Sequence, residues 1–135
     1  MMNPLVIEVL TRARELVRAG WEQGVSARDE NGNVCGPLDA RAATFCALGA
    51  IDRAADEVLG RPRTRGVGIT ADVVQLSVNA AAVLREEIEF QYGEVQVSSW
   101  NDFEARTVAE VAQAFADAIH TETFPPSRDG VGARV

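Results

Sequence analysis

Apolar residues recur at three- and four-residue spacing near the start of the chain. Leu5, Val6, Val9, Leu10, Ala13, Leu16 and Val17 fall on one stripe, the period of an amphipathic helix. Asn3 can cap such a helix, and Pro4 suits its first position, where a missing N–H leaves nothing unpaired. Gly20 suits the left-handed position just past its end. The pattern predicts a first helix over 4–19. From Trp21 to Pro37 the helical period vanishes. Asn31-Gly32 is a two-residue turn signal and predicts a short hairpin pairing 25–28 with 33–35. A lone hairpin is marginal in water unless it packs on something larger, so it reads as an adornment of a helical core.

A second helix is predicted from Asp39, as N-cap, to Leu59, with Gly60 as its stop. Its centre, Ala42-Ala43-Thr44-Phe45-Cys46-Ala47-Leu48-Gly49-Ala50-Ile51, is apolar almost all round, the mark of a buried helix. Gly49 inside it costs ~1 kcal/mol relative to Ala, and the expected compensation is close approach of another backbone. After a basic, Gly-bearing linker over 61–68, Thr70 caps a third helix reaching Gly93. Val73, Leu76, Ala80, Val83, Leu84 and Ile88 face inward on it, and Glu86, Glu87 and Glu89 form its solvated side. An irregular stretch through 98–102 follows. Thr107 and Glu110 then make a capping box for a fourth helix ending near His120, with Val108, Val111, Ala112, Phe115 and Ile119 inward. The expectation is a mainly α fold of about four helices around the central second one, with a small β-hairpin after the first. Residues 1–123 form a single helical domain and 124–135 a flexible C-terminal tail.

Composition narrows the function. At 135 residues and 47% hydrophobic, the chain can bury roughly two-thirds of its unfolded surface, enough for a core without staples. Thirteen basic residues, all Arg, stand against 20 acidic ones, a net charge of -7. That balance argues against direct nucleic-acid binding, because phosphates repel such a surface. No apolar run approaches the ~18 residues of a membrane span, and Met1-Met2-Asn3-Pro4 lacks the basic flank of a signal peptide. A cytoplasmic location follows as the expectation, with Cys35 and Cys46 as reduced thiols.

Four constellations carry candidate chemistry. Cys46, with His120 as the sole histidine, has the makings of a thiol nucleophile and base. A cysteine inside an apolar helix is, however, ordinarily a small hydrophobe. One His and two Cys eleven residues apart fit no structural zinc spacing. Asp52 and Asp56, at i, i+4 beside Arg53, read as a solvated face, so neither metal nor cofactor is expected. Arg61, Arg63 and Arg65, running into the helix start at Thr70, could hold an anion, though connector loops are commonly polar and Gly-rich. Finally, Trp21 and Gln23 in one loop, and Trp100, Asn101 and Asp102 in another, are candidate binding residues, since loop aromatics with polar neighbours make interaction anchors. The plainer reading is a ring capping the core and Asx turns satisfying loop backbone.

Trp21-x-Gln23-Gly24, Ala43-x-x-Cys46-x-x-Gly49-Ala50-Ile51, and Trp100-Asn101-Asp102 with Arg106-Thr107 and Val111 occur in this order along the chain. Over about residues 5–120 they resemble a domain-of-unknown-function family of small bacterial and phage proteins. The resemblance implies one compact helical domain and a mobile-element or accessory context. It carries no activity, so it assigns no catalytic role to Cys46 or His120.

The leading expectation is a non-enzymatic accessory or modulator that binds a protein partner with a basic surface. One form would be a phage or mobile-element protein that inhibits a host defence complex. The alternatives are a Cys46/His120 thiol-dependent hydrolase or transferase, and a small-anion sensor built on Arg61, Arg63, Arg65 and Thr70. Self-association into a homo-oligomer is left open.

Overall fold

Capping and periodicity set the first helix as the sequence predicts. Asn3 Oδ1 accepts the Val6 N–H at 3.2 Å and Pro4 opens α1 (Pro4–Ala19), which buries Val6, Val9, Leu10, Ala13 and Val17. The computed structural model describes residues 3–60 and 70–125. The linker over 61–68 and the tail beyond Pro125 therefore lie outside the described residues. Gly20 ends α1 in extended backbone, not in the left-handed conformation. Its smallness matters for space: an added Cβ would sit 2.9 Å from both the Ala43 carbonyl oxygen and Thr44 Cγ2. The chain leaves the helix directly into a short parallel bridge between Trp21 and Phe45. There Phe45 N donates to Gly20 O and Glu22 N donates to Phe45 O.

The hairpin expands into a three-stranded antiparallel sheet. β1 (Ala27–Asp29) lies between β2 (Val34–Cys35) and β3 (Ala42–Phe45), with Ala27 opposite Cys35 on one side and Phe45 on the other. Asp29 organises the turn. Its Oδ1 accepts from Asn31 N and Asn33 N, and Gly32 adopts φ 83°.

The third strand replaces the expected first turns of the second helix. α2 (Ala47–Val58) starts at Ala47, and its N-cap is Cys46 rather than Asp39. A short apolar run does not distinguish a buried strand from a buried helix by period alone. Here the unpaired edge of β1 settles it, by offering backbone hydrogen bonds to 42–45. Asp39 turns instead toward Arg41, whose N, Nε and Nη2 donate to its carboxylate and hold its pKa at about 2. Arg53 Nη1 then ties the loop to α2 by donating to the carbonyls of Pro37 and Asp39.

The third helix, α3 (Ala71–Tyr92), runs from the Thr70 cap to Gly93, which is left-handed at φ 74°. A one-turn helix, α4 (Val97–Asn101), occupies the stretch expected to be irregular. α5 (Val108–Thr123) has the Thr107–Glu110 capping box and continues three residues past His120. The structure is thus mainly helical, with five helices among the described residues and the small sheet after the first. α1 makes the broadest contacts, against α2, α5 and α3, so it shares the centre with α2. Phe115, Leu10, Ile51, Leu84 and Trp100 fill the core between them. Among the described residues no helix is long and apolar enough to cross a membrane.

Several polar side chains depart from the expected pattern. Glu87 is buried, where Gln91 Nε2 and Thr121 Oγ1 donate to it, while its neighbours Glu86 and Glu89 are exposed as expected. Asp52 faces α3 and accepts the Ser77 hydroxyl; burial pushes its pKa up. Burial pushes Glu57 the same way. The Arg12 hydrogen bond at 2.7 Å and the Arg53 bond at 3.0 Å outweigh it, and the Glu57 pKa ends lowered. Val108, expected inward, is exposed at the first position of α5.

Gly49 meets the expectation of close backbone approach. An added Cβ would lie 2.1 Å from the Ser26 carbonyl oxygen, a backbone atom that cannot swing aside. Gly49→Ala should therefore destabilise the protein by about 3 kcal/mol or more, despite alanine's better helix propensity. Urea denaturation monitored by circular dichroism would measure this; an unchanged or raised midpoint would show that the contact between Ser26 and α2 gives way freely.

Candidate functional site

The two tryptophan loops meet. Asn101, at the end of α4 and 1% exposed, is the junction. Its Oδ1 accepts from Trp21 Nε1 at 2.8 Å and from the Ala47 backbone N–H at 3.0 Å. Its Nδ2 donates to the Glu22 carbonyl at 3.1 Å and to Asp102 Oδ1 at 2.9 Å. Both donors can only donate and both acceptors can only accept, so the chemistry fixes which end of the amide points where. Gln23 Nε2 reinforces the junction by donating to the carbonyls of Asn101 and Phe103, each at 3.0 Å. Asp102 Oδ1 also accepts the Gly24 N–H at 3.0 Å. Trp21, Gln23, Asn101 and Asp102 thus belong to one construction, with Trp100 next to Asn101 in the chain. This construction also satisfies one of the free N–H groups at the start of α2.

Trp100 forms the floor of the neighbouring surface. It is 1% exposed, and its Nε1 has no acceptor among the described residues. Tyr92 packs edge-on at 5.4 Å between ring centroids. The Arg106 guanidinium lies over three rings, 4.4 Å from the Trp100 centroid, 4.6 Å from Tyr92 and 5.3 Å from Phe103. Arg106 Nε donates to the Trp100 carbonyl, and Nη1 is 3.6 Å from Glu110. A guanidinium stacked on rings is held by cation–π attraction as well as by its hydrogen bond. Of the stacked rings, Tyr92 and Phe103 are exposed at 42% and 57%, and Val95, three residues after Tyr92 in the chain, at 53%. Phe103 and Tyr92 were not candidates on sequence. The available signal was Phe103 itself, a large apolar residue set among Asn101, Asp102 and Glu104.

The structure separates Cys46 from His120. Cys46 lies beside the C-terminal end of α1, since Phe45 N donates to Gly20 O. His120 is near the other end, where Glu122 accepts the Asn3 N–H. The sixteen residues of α1 between these ends span about 24 Å at 1.5 Å per residue. His120 is exposed, with its ring 5.1 Å from Phe124. Cys46 is not in mid-helix as expected but caps α2, accepting the Gly49 N–H at 3.3 Å. Desolvation pushes its pKa up, the Gly49 and Leu48 amides pull it down, and Asp102 and Asp52 add to the rise; the net shift is upward.

The three arginines of the anion candidate, Arg61, Arg63 and Arg65, lie outside the described residues. Thr70 caps α3, with its side chain taken by Val73 N. Among the described residues no group of three or more His, Cys, Asp or Glu is placed to hold a metal ion.

Two outcomes test this geometry. Asn101→Asp keeps both acceptor roles but loses both donors, and sets a carboxylate against Asp102 and the Glu22 carbonyl. It should cost about 3 kcal/mol or more at neutral pH, with part of the loss recovered in acid as the new carboxyl protonates; a midpoint equal to wild type would remove Asn101 as the junction. The raised Cys46 pKa leaves the thiol protonated at neutral pH. Iodoacetamide labelling of Cys46 in the Cys35→Ser protein should be slow when folded, and should speed up only above the ordinary thiol pH range or on unfolding. Fast labelling at pH 7 would show a thiolate.

No curated protein and no solved structure matches the chain. The profile of a family of unknown function, DUF6197, matches residues 1–121, and the chain belongs to that family.

Proposed function

We propose that the protein is a non-enzymatic accessory that works by binding another protein through the face beside the tryptophan junction. The observation that carries this reading is the pair of exposed aromatic residues Tyr92 and Phe103 on a fixed Arg106 stack. Exposed large apolar residues scattered singly need no explanation, whereas grouped ones are a feature of interaction sites. Tyrosine is also among the residues on which interface energy concentrates. Trp100 and Asn101 are buried, so their part in this reading is to hold the face rigid. Trp21, Gln23 and Asp102 brace its edge. A rigid face loses little conformational entropy on binding. In its narrower form the proposal is a phage or mobile-element modulator that inhibits a host defence complex, for which the family resemblance and the acidic balance are the support.

Placing the photo-crosslinking residue p-benzoylphenylalanine at position 103 in the native host tests this. Position 5 is the control, since Leu5 is 46% exposed near the opposite end of α1. A discrete heavier adduct from 103 and not from 5 is expected, and its purified partner should bind the wild type but not Phe103→Ser. No adduct at 103, or the same adducts from both positions, would defeat the reading.

A further inference from the structure

We infer that the Phe103 face takes a basic segment of its partner, a large aliphatic or aromatic side chain flanked by arginine or lysine. The inference rests on the protein-binding reading above and adds to it the chemistry of the partner. From Tyr92 to Glu110 the charged residues are Glu94, Asp102, Glu104, Arg106 and Glu110, so a single cation stands among four acids. That cation does not face solvent. The Arg106 side chain is 8% exposed, stacked on Tyr92, Trp100 and Phe103 and spent on the Trp100 carbonyl and Glu110. What the face presents outward is therefore an apolar centre with an acidic rim.

The rim carboxylates differ in how much charge they leave over. Glu94 Oε1 accepts the N–H groups of Val95 and Gln96 at 3.0 and 3.2 Å, which fixes its side chain beside exposed Val95. Glu104 is exposed, next to Phe103 in the chain. Each can still pair with a cation from outside, because a carboxylate has more acceptor sites than these contacts use.

The same charges weigh against other occupants. A nucleic acid could stack bases on Phe103 and Tyr92, but its phosphates would meet the acidic rim. An anionic membrane surface would be repelled in the same way. A second copy of the chain would bring an identical rim, and a two-fold interface sets the same patch against itself. An apolar anchor flanked by cations satisfies both centre and rim. In such pairings the rim steers approach and excludes wrong partners, and the buried anchor supplies most of the affinity.

The test is a selection of random dodecapeptides displayed against the whole folded protein, followed by affinity measurement with the selected peptides. Peptides pairing a large apolar residue with nearby Arg or Lys are expected. Phe103→Ser should weaken them about tenfold or more, as loss of an anchor does. Glu94→Gln with Glu104→Gln should weaken them roughly three- to fivefold at low salt, and that difference should shrink as ionic strength rises from roughly 50 to 500 mM. Phe103 and Glu104 are exposed and Glu94 is half-buried, and unchanged thermal melts would show that both variants remain folded. Neutral or acidic peptides, no enrichment, or binding indifferent to Phe103 or to the two glutamates would overturn the inference. An adduct at position 103 in the native host together with such a result would sink the partner chemistry alone. Absence of the adduct would sink the protein-binding reading itself.

Discussion

The fold depends on one buried amide. The side chain of Asn101 holds together the segment leaving α1, the start of α2 and the turn after α4, and each of its four hydrogen bonds reaches a different residue. Because the Asn101 side chain itself is buried, each bond is stronger than it would be in water, and an orphaned amide atom would cost more. A half-satisfied version would be worse than an apolar one, and the four-way saturation is what makes the arrangement stable. It also explains why α4 exists. A single helical turn has little stability of its own, yet here its last residue is fixed by tertiary bonds, and Trp100 one position earlier is sealed into the core.

Small residues permit the close approaches that bring these partners within reach. Gly20 lets the end of α1 lie against Ala43 and Thr44, and Gly49 lets α2 lie against Ser26. The sheet is consequently clamped between α1 and α2 rather than hanging from the core. That answers the instability expected of an isolated hairpin. On the opposite side of the balance are charges. Glu57 bridges Arg12 of α1 and Arg53 of α2, and Arg53 continues to the loop carbonyls before β3. Partly exposed pairs such as these contribute little individually, so their effect is better described as fixing the angle at which the loop meets the helix.

Much of this was legible in the sequence where local chemistry decides the outcome. The caps at Asn3, Thr70 and Thr107, and the glycine stops at Gly60 and Gly93, are short-range signals, and they placed three helices closely. Gly49's need for space was also readable, because a glycine in a buried helix demands a neighbour. The failures lie where tertiary pairing decides. Residues 42–45 can serve as helix or strand, and only the free edge of β1, 13 to 18 residues earlier in the chain, selects the strand. Gly20 looked like a left-handed cap and is instead a spacer for a chain segment more than twenty residues later. Glu87 looked solvated because its partner Thr121 lies on another helix. The two tryptophan motifs could be singled out, but nothing in either loop states that the second supplies an asparagine to the first.

The junction and the neighbouring exposed face are physically connected, and this bears on how the face can act. Phe103 follows Asn101 by two residues, its carbonyl accepts from Gln23, and its ring lies by the Arg106 guanidinium. The backbone that carries the most exposed aromatic residue of the patch is therefore held by the same bonds that hold the start of α2. A partner pressing on Phe103 would meet a surface that has already lost its freedom on folding, so little further ordering is required on binding. By the same linkage, whatever loosens Asn101 must loosen the face. The tryptophan motifs and the exposed face are then one structural unit, in which the buried residues set the geometry of the exposed ones.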